Sequence, residues 1–208
     1  MEISADTLHS QQIYKLMTGS IVPRPIAWVS TLSQDGSANV APFSYFNAVS
    51  ADPPVLLFSA GLHTADRPKD TLRNVQETGE FVVNIVTESV VEAMNASAVA
   101  APYGVDEFEF AGVTPAPSKR VSAPRVLESP VNFECKVLDI YRVGGDAATN
   151  SVVFGEIVHI HVDDELLLDD YKIDPVKLRP VGRLAGTTYS RVRDLFDLRR
   201  PVYEETRS

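Results

Sequence analysis

The sequence predicts a β-rich fold, a β-barrel with peripheral helices. Six segments rich in β-branched and aromatic residues follow one another along the 208-residue chain, which is typical of barrel strands. Helix-like segments interrupt them without regular alternation, so βαβ units and a parallel sheet are disfavoured. The predicted strands are 26–32, 37–45, 55–59, 80–86, 131–143 and 151–163, and the predicted helices are 4–18, 67–78 and 88–98.

Composition and charge exclude several classes of partner. The formal net charge is −9 and the sequence pI is about 4.9, which argues against nucleic acid or an anionic membrane surface. No apolar run approaches the roughly 18 residues of a membrane span, and the first residues lack a signal-peptide pattern, so we expect a cytoplasmic protein. We expect one domain over residues 1–208, with a barrel core at about 20–165 and a C-terminal extension at 166–208.

The first predicted hairpin carries the first indication of a ligand. Its strands, 26–32 and 37–45, flank a turn in which Gly36 can take the positive φ that closes a short loop. Pro42 cannot donate to a strand ladder, so we expect the second strand to be interrupted or bulged there. Small side chains lie where the two strands are side by side, and they would let a flat cofactor approach the main chain. These small residues are Ser30, Thr31, Ala41 and Ser44.

A second candidate site is the start of the predicted helix 67–78. Arg67, Lys69 and Arg73 lie within two turns of that helix start, and Thr71 offers a hydroxyl. Unpaired backbone N–H groups and the helix dipole attract an anion there, whereas basic side chains are unfavourable unless an anion compensates them. The placement indicates a phosphate site. A solvated helix start whose basic side chains face water explains the same pattern, and both interpretations stay open.

The other groups that could carry chemistry favour structural roles. His159 and His161 share one strand face, but a metal would need further ligands, so we favour a structural pair and expect no metal site. The carboxylates of 163–170 lack the spacing of a calcium loop. Cys135, the only cysteine, lies in an apolar run as a small core residue. The chain also lacks the Gly-x-Ser-x-Gly, P-loop and Gly-x-Gly-x-x-Gly patterns.

Several short motifs follow one another in a characteristic order. They are Ser-Ile-Val-Pro-Arg-Pro-Ile-Ala-Trp-Val-Ser-Thr at 20–31, Asn-Val-Ala-Pro-Phe-Ser at 39–44, Asp-Pro-Pro at 52–54, Lys-Asp-Thr-x-x-Asn at 69–74 and Phe-Val-Val-Asn-Ile at 81–85. Together they resemble the flavin reductase-like family of FMN-binding split barrels, particularly its longer, flavoredoxin-like members. The resemblance covers roughly residues 15 to 190, and the combination of motifs is specific although no single motif is.

The resemblance implies a six-stranded FMN-binding split barrel, a homodimer, and FMN held non-covalently near the dimer interface. It also assigns residues to the flavin, one by one. Val29, Ser30 and Thr31 would line the flavin, and Pro42, Phe43 and Ser44 would lie at its ring edge, with Ser50 on the neighbouring segment. Lys69 and Thr71 would hold the phosphate, and Arg183 and Tyr189 would lie beside the open face of the ring.

The implied activity is reduction of flavin by NADH or NADPH, with the hydride chemistry supplied by the flavin and no catalytic side chain required. Shorter, NADH-dependent members carry a histidine where this chain has Asn150, a few residues before 154–156, which weakens the case for a nicotinamide site. Two alternatives stay open. One is an FMN electron-transfer protein reduced by a protein partner, and the other is a non-redox binding module on the same barrel. The resemblance also admits an oxygenase or a redox protein as partner.

Overall fold

A large antiparallel sheet surrounded by short helices makes up the molecule. The computed structural model describes residues 1–64, 67–99, 105–144 and 150–202. Among these residues the large sheet contains β1 (Ala27–Leu32), β2 (Ala38–Phe43), β3 (Phe46–Ala51), β4 (Pro54–Thr64), β5 (Arg67–Pro68), β6 (Glu80–Ile85), β9 (Val131–Val143) and β10 (Asn150–Val162). Two small hairpins pair β7 (Pro115–Ala116) with β8 (Arg125–Val126) and β11 (Val181–Arg183) with β12 (Tyr189–Arg191). The α-helices are α1 (Ser10–Ser20), α2 (Asp70–Thr78), α3 (Val91–Ala96), α4 (Glu107–Ala111) and α5 (Pro175–Leu178).

The order of the strands rolls this sheet into a barrel. Along the sheet the order is β2-β1-β6-β9-β10-β4-β3, with β5 paired to β4. The two edge strands, β2 and β3, are consecutive in the chain and separated by only Ser44 and Tyr45. Because two residues cannot span an open sheet, its edges must come together. At this junction the N–H of Ser59 in β4 donates to the Tyr45 carbonyl at 2.8 Å.

Apolar side chains from both edges fill the interior of the barrel. Phe43 of β2 lies 5.1 Å from Phe58 of β4, between ring centroids, and Phe58 lies 5.3 Å from Phe81 of β6. Leu72 and Val75 bring the apolar face of α2 into the same cluster. The close packing explains why residue 155 is a glycine, because a Cβ there would lie 2.3 Å from the ring of Phe81.

A second cluster packs on the outside of β1 and β2. Trp28 and Val40 meet Met94 of α3, Phe108 of α4 and Val126 of β8 there. Alternate residues of β1 thus face the barrel interior and this outer layer, so the strand is buried on both sides. That explains why its sequence, Ala-Trp-Val-Ser-Thr-Leu, contains no charged residue.

Asn84, at the centre of β6, joins four chain segments through its buried amide. Its Nδ2 donates to the Trp28 carbonyl at 2.8 Å and to Ser30 Oγ at 3.0 Å. Its Oδ1 accepts from the N–H of Val126 and from Asn132 Nδ2, each at 2.8 Å. Both N–H groups and both oxygen lone pairs of this amide are therefore used within the core.

The predicted β-rich barrel with peripheral helices is confirmed, and six long strands lie at or near the predicted positions. The prediction for 131–143 coincides with β9, and that for 80–86 with β6 to within one residue. The short strands β3 and β5 extend the sheet beyond those six. The predicted strands 131–143 and 151–163 leave a connection at 144–150, of which residues 145–149 lie outside the described chain. The division into one domain with a C-terminal extension stays a prediction.

The expected interruption at Pro42 was wrong. β2 pairs with β1 in one continuous register, with Pro42 opposite Trp28 and Phe43 opposite Ala27. β2 is an edge strand of the sheet, where a residue without an N–H can face away from the ladder and costs no hydrogen bond.

The predicted helices begin later in the structure than the sequence suggested. His9 and Gln12 form a capping box, so α1 begins at Ser10, and a short 3₁₀ turn at Ala5–Thr7 precedes it. α2 begins at Asp70, because Arg67 and Pro68 pair with β4 as strand β5. Gly79 ends α2 in the left-handed conformation, with φ of +71°, as a glycine at that position favours.

We expect Asn84→Ala to destabilise the fold strongly. The change removes the acceptor of the buried Val126 N–H and of one of the two N–H groups on Asn132 Nδ2. Each unsatisfied donor costs about 1–3 kcal/mol, so a total loss on the order of 3 kcal/mol is expected. Asn47→Ala is the matched control, since Asn47 is exposed and accepts only from the neighbouring Ala48 N–H. Urea unfolding of both variants measures the difference, and equal unfolding midpoints would contradict the role of Asn84.

Candidate functional site

A buried hydrogen-bond network joins the first hairpin to the start of α2. Asn39 Oδ1 accepts from Thr71 Oγ1 at 2.9 Å and from Thr31 Oγ1 at 3.2 Å. Asn74 Nδ2 donates to Thr31 Oγ1 at 3.0 Å. All four side chains are buried. The network holds the candidate anion site against the strands that carry the candidate cofactor surface, so the two sites lie together.

Thr71 is turned into the molecule. It is 1% exposed, and its hydroxyl already donates to Asn39. Asn39 Nδ2 in turn donates to Glu107 Oε2 at 2.8 Å, and burial raises the pKa of the Glu107 carboxyl. The hydroxyl therefore has a structural partner, and its predicted bond to a phosphate stays a prediction.

Among the described side chains of this turn, Lys69 is a basic residue that remains available to an anion. It occupies the N-cap position of α2, where no side chain caps the helix. It is half-buried, its ammonium lies 5.2 Å from the centroid of the Phe43 ring, and desolvation lowers its pKa. Among the described residues no carboxylate lies within ion-pair distance of it. Arg73 instead pairs with Glu77 at 2.9 Å.

The first predicted group at the flavin lies beneath the surface. Val29, Ser30 and Thr31 are each 0% exposed. Val29 packs in the barrel interior, and Ser30 Oγ donates to the Pro124 carbonyl at 2.5 Å. In this structure these residues support the site from within, and their direct contact with a flavin stays a prediction.

The predicted ring-edge group lies at the end of β2. Phe43 is buried under the ammonium of Lys69, whereas Pro42 and Ser44 are half-buried. Ser44 Oγ accepts from Arg24 Nε at 3.4 Å. The structure thus brings the predicted ring-edge and phosphate groups together at one end of the barrel.

Arg24 is a buried cation at this end of the barrel. Its Nη1 donates to the carbonyls of Thr18 and Ile21, each at 2.9 Å, and its Nη2 to that of Leu184 at 3.0 Å. Its partners are neutral, and it forms no ion pair within the part of the chain that the structure describes. Its positive charge beside Ser44 is therefore uncompensated, which favours negative charge nearby.

Arg183 and Tyr189 contact each other across the β11–β12 hairpin. The guanidinium carbon lies 4.5 Å from the centroid of the tyrosine ring, and the guanidinium donates to the Tyr189 hydroxyl. The Tyr189 hydroxyl also donates to Asn95 Oδ1 of α3 at 3.0 Å. The backbones of Arg183 and Arg24 exchange two hydrogen bonds of 2.8 and 3.0 Å, which places this hairpin next to the ring-edge group.

Glu88 anchors the chain around that hairpin. Its carboxylate forms ion pairs with Arg179 at 3.0 Å, with Arg191 at 3.3 Å, and with Arg193. The hydrogen bond from Arg193 holds the pKa of Glu88 down to about 2. Three residues of the C-terminal extension thus converge on one carboxylate beside Tyr189.

Ser50 lies apart from these groups, on an exposed strand. Its hydroxyl donates to the Asp52 carbonyl at 3.1 Å, and residues 47–51 of β3 are all exposed. Within the residues that the structure describes, no hydrogen bond links Ser50 to the other predicted site residues. Its place at a flavin therefore stays a prediction.

Sequence reasoning missed Asn39 and Arg24 as parts of the site. Both stand inside the motifs that carry the family resemblance, and that is the signal that could have identified them. Their partners, Thr71 and Leu184, are far away in the chain, so spacing alone could not reveal the contacts. The side chain of Arg67, the third basic residue of the predicted anion site, lies outside the described part of the chain.

Other predicted features can be placed as well. Cys135 is 0% exposed in the interior cluster, and burial raises the pKa of its thiol, as expected of a core residue. Asn150 is the first residue of β10, opposite Gly61 of β4. No helix in the described part of the chain is long and apolar enough to cross a bilayer.

Comparison with known proteins identifies the family. The family model described as flavin reductase like domain matches residues 18–177. The structure of nitrilotriacetate monooxygenase component B from Bacillus cereus is 38% identical over 95% of this chain and 98% of that chain, with a TM-score of 0.91. The 2-nitrobenzoate 2-nitroreductase NbaA from Pseudomonas fluorescens is 34% identical over 100% of both chains, with a TM-score of 0.88. A third structure, a flavin reductase-type protein with a split barrel domain from Shewanella frigidimarina, matches with a TM-score of 0.83 over 97% of this chain and 100% of that chain. It is 22% identical, so this match shows the fold alone.

The rolled sheet and the site at its end thus define a flavin-binding split barrel. The chain belongs to the flavin reductase-like family. It is a flavoprotein and an oxidoreductase of the flavin reductase type, which confirms the main functional prediction from the sequence.

Proposed function

We propose that this protein binds FMN non-covalently and reduces flavin with NADH or NADPH. One observation carries the choice of FMN: the half-buried ammonium of Lys69, at the uncapped start of α2, has no carboxylate partner among the described residues. A desolvated cation at a helix N-terminus favours one phosphate group. FMN carries one phosphate, whereas FAD carries a pyrophosphate, and the sequence has no Gly-x-Gly-x-x-Gly loop for a second phosphate.

The other residues fit a flat ligand beside that phosphate. Bound flavin would supply the hydride chemistry. Pro42 and Ser44 would present backbone and hydroxyl groups to the ring edge, with Ser50 on the adjoining strand. The uncompensated charge of Arg24 beside Ser44 would favour electron density at that edge. Val29, Ser30, Thr31, Phe43 and Thr71 would hold the surrounding strands and helix in place.

A nicotinamide dinucleotide would have to lie over the ring without a Rossmann site. The sequence offers no fixed donors for its pyrophosphate, so its binding would be weak, with a Michaelis constant toward the upper end of about 1 μM–1 mM. Arg183 and Tyr189, which stack on each other at 4.5 Å, would border the open face of the ring and contribute charge and an aromatic surface.

A homodimer is the second part of the proposal. Large apolar side chains of α1 and of the β2–β3 bend are exposed, and β3 leaves an edge of the sheet uncovered within the described chain. A second copy that covers β3 would lie beside Ser50 and the ring-edge group. The exposed apolar residues are Tyr14, Leu16, Met17, Ile21, Tyr45 and Val49. A further partner would be an oxygenase or redox protein that takes the electrons, as the name of the Bacillus cereus component B suggests for that protein. A cytoplasmic location stays a prediction.

We expect Lys69→Met to weaken FMN binding by about ten- to a hundredfold, because a hydrogen bond to a charged group contributes roughly 1.5–3 kcal/mol. Lys172→Met, at an exposed lysine of the C-terminal extension, is the matched control and should bind FMN like the wild type. Fluorescence titration with FMN measures both. Unchanged affinity in Lys69→Met would refute the phosphate assignment.

We expect either NADH or NADPH to bleach the absorbance of the FMN-loaded protein when the two are mixed without oxygen. The reason is that the proposed open face of the ring admits the nicotinamide. Stopped-flow absorbance with each nucleotide measures the rates. If dithionite bleaches the flavin readily and neither nucleotide does, the electron-transfer protein reduced by a protein partner becomes the better description.

We expect the FMN-loaded protein to sediment as a homodimer at micromolar concentration, because isolated apolar patches of this kind need a partner surface. Val49→Lys, which places a charge on β3, should shift the equilibrium toward monomer, whereas Val176→Lys on the exposed helix α5 should not. A wild-type monomer with FMN bound would rule the dimer out.

A further inference from the structure

Two histidines and one glutamate meet on the face of the β9–β10 ladder, away from the groups assigned to the flavin. His159 stands directly opposite Glu134 in the register, and His161 follows two residues later on the same face. The pairing is irregular between Ile157 and His159, where a β-bulge adds one residue to β10. The bulge turns His159 and His161 to the same side as Glu134, with the two ring centroids 4.8 Å apart.

The carboxylate of Glu134 is buried and held in a fixed orientation. Its side chain is 0% exposed. Oε1 accepts from the backbone N–H of Lys119 at 2.7 Å, and Oε2 accepts from that of Arg120 at 2.6 Å. His161 Nε2 lies 2.6 Å from Oε1. A carboxylate has about four acceptor positions, so one of them remains for a further partner.

The two imidazoles differ in their contacts. His161 pairs with Glu134, and its side chain is 18% exposed. The half-buried imidazole of His159 makes no hydrogen bond to the residues that the structure describes, and it packs edge-to-face on the ring of His161. An ion pair between His161 and Glu134 explains the position of His161. It does not explain His159, whose ring nitrogens lie near the same carboxylate without a hydrogen-bond partner among the described residues.

We propose that Glu134, His159 and His161 bind one divalent transition-metal ion. One ligand atom from each residue can be chosen so that all three lie within 4.8 Å of one another. Two ligands about 2.1 Å from a tetrahedral ion are roughly 3.4 Å apart. The half-buried His159 therefore needs to turn inward by up to about 1.4 Å, and the 2.6 Å contact between His161 Nε2 and Glu134 Oε1 needs to open by about 0.8 Å. The third ligand, which the sequence argument lacked, comes from the neighbouring strand.

The donor set selects the class of ion. Two imidazole nitrogens and one carboxylate oxygen suit Zn²⁺ and other late first-row ions and do not suit Ca²⁺ or Mg²⁺, which prefer oxygen ligands. In the metal-bound state the neutral imidazole of His161 carries its one proton on Nδ1, and its Nε2 lone pair binds the ion in place of the contact with Glu134 Oε1. The Lys119 and Arg120 N–H groups continue to orient the carboxylate from behind, as outer-shell partners of metal ligands do.

The site would stabilise the loop 117–124, which connects β7 to β8. Glu134 anchors Lys119 and Arg120 of this loop, and Glu80 accepts from the Ser122 N–H at 2.8 Å. At its end, the Pro124 carbonyl accepts from Ser30 of β1 at 2.5 Å. An ion that fixes Glu134 therefore fixes the loop whose far end contacts a residue beneath the flavin site. The proposal does not depend on which flavin or nicotinamide the protein uses.

The test is isothermal titration of the flavin-loaded protein with ZnCl₂ after chelator treatment, in a buffer that does not bind zinc. We expect one Zn²⁺ for each chain. His159→Ala and His161→Ala should each weaken the affinity by more than the roughly 10–100-fold that loss of an outer-shell partner costs. Zinc should raise the melting temperature of the wild type and leave that of both variants unchanged.

His9→Asn is the matched control. It removes an exposed imidazole outside the cluster and keeps a side chain that caps α1, so zinc binding should be retained. His159→Ala is expected to fold, because His159 makes no hydrogen bond to the described residues, and circular dichroism checks this. Absence of saturable zinc binding by the wild type would overturn the proposal. So would stoichiometric binding that survives in both His159→Ala and His161→Ala.

Discussion

The rolled sheet depends on the two-residue bend at Ser44 and Tyr45, which joins the two edge strands. β2 and β3 are consecutive in the chain but lie at opposite ends of the strand order, so the sheet cannot remain flat and open. Closure brings Phe43 of one edge against Phe58 near the other and places the end of β2 where Lys69 covers its aromatic ring. The geometry of the proposed flavin site is thus a consequence of how the barrel closes.

Buried polar side chains then fix the relative positions of strands and helices that apolar packing alone does not determine. Asn84 ties β6 to β1, β8 and β9, and Asn39 ties the first hairpin to α2 and α4. Arg24 joins the end of α1, the end of β2 and the C-terminal extension through neutral acceptors. Such buried hydrogen-bonded groups are costly to disrupt, because each lost partner leaves a buried donor or acceptor unsatisfied. They support the proposed flavin site from beneath, while the ammonium of Lys69 at the start of α2 remains available to an anion.

The sequence allowed prediction of the elements whose pattern is local. The strands 131–143 and 80–85 are rich in β-branched and aromatic residues, and Gly79 marks the end of α2. It could not show that Pro42 sits on a sheet edge, since that depends on the strand order. Nor could spacing show that Thr71 bonds inward to Asn39, 32 positions earlier, or that Glu134 stands opposite His159. Those facts come from tertiary contacts, which override local preference.

The central claim is that the start of α2 recognises a single phosphate. A side-by-side titration of the flavin-free protein with FMN, riboflavin and FAD tests it directly, because the three share one ring and differ in their phosphates. We expect FMN to bind about ten- to a hundredfold more tightly than riboflavin, because one hydrogen-bonded charged group contributes that much, and more tightly than FAD. Equal affinity for FMN and riboflavin, or a preference for FAD, would contradict it.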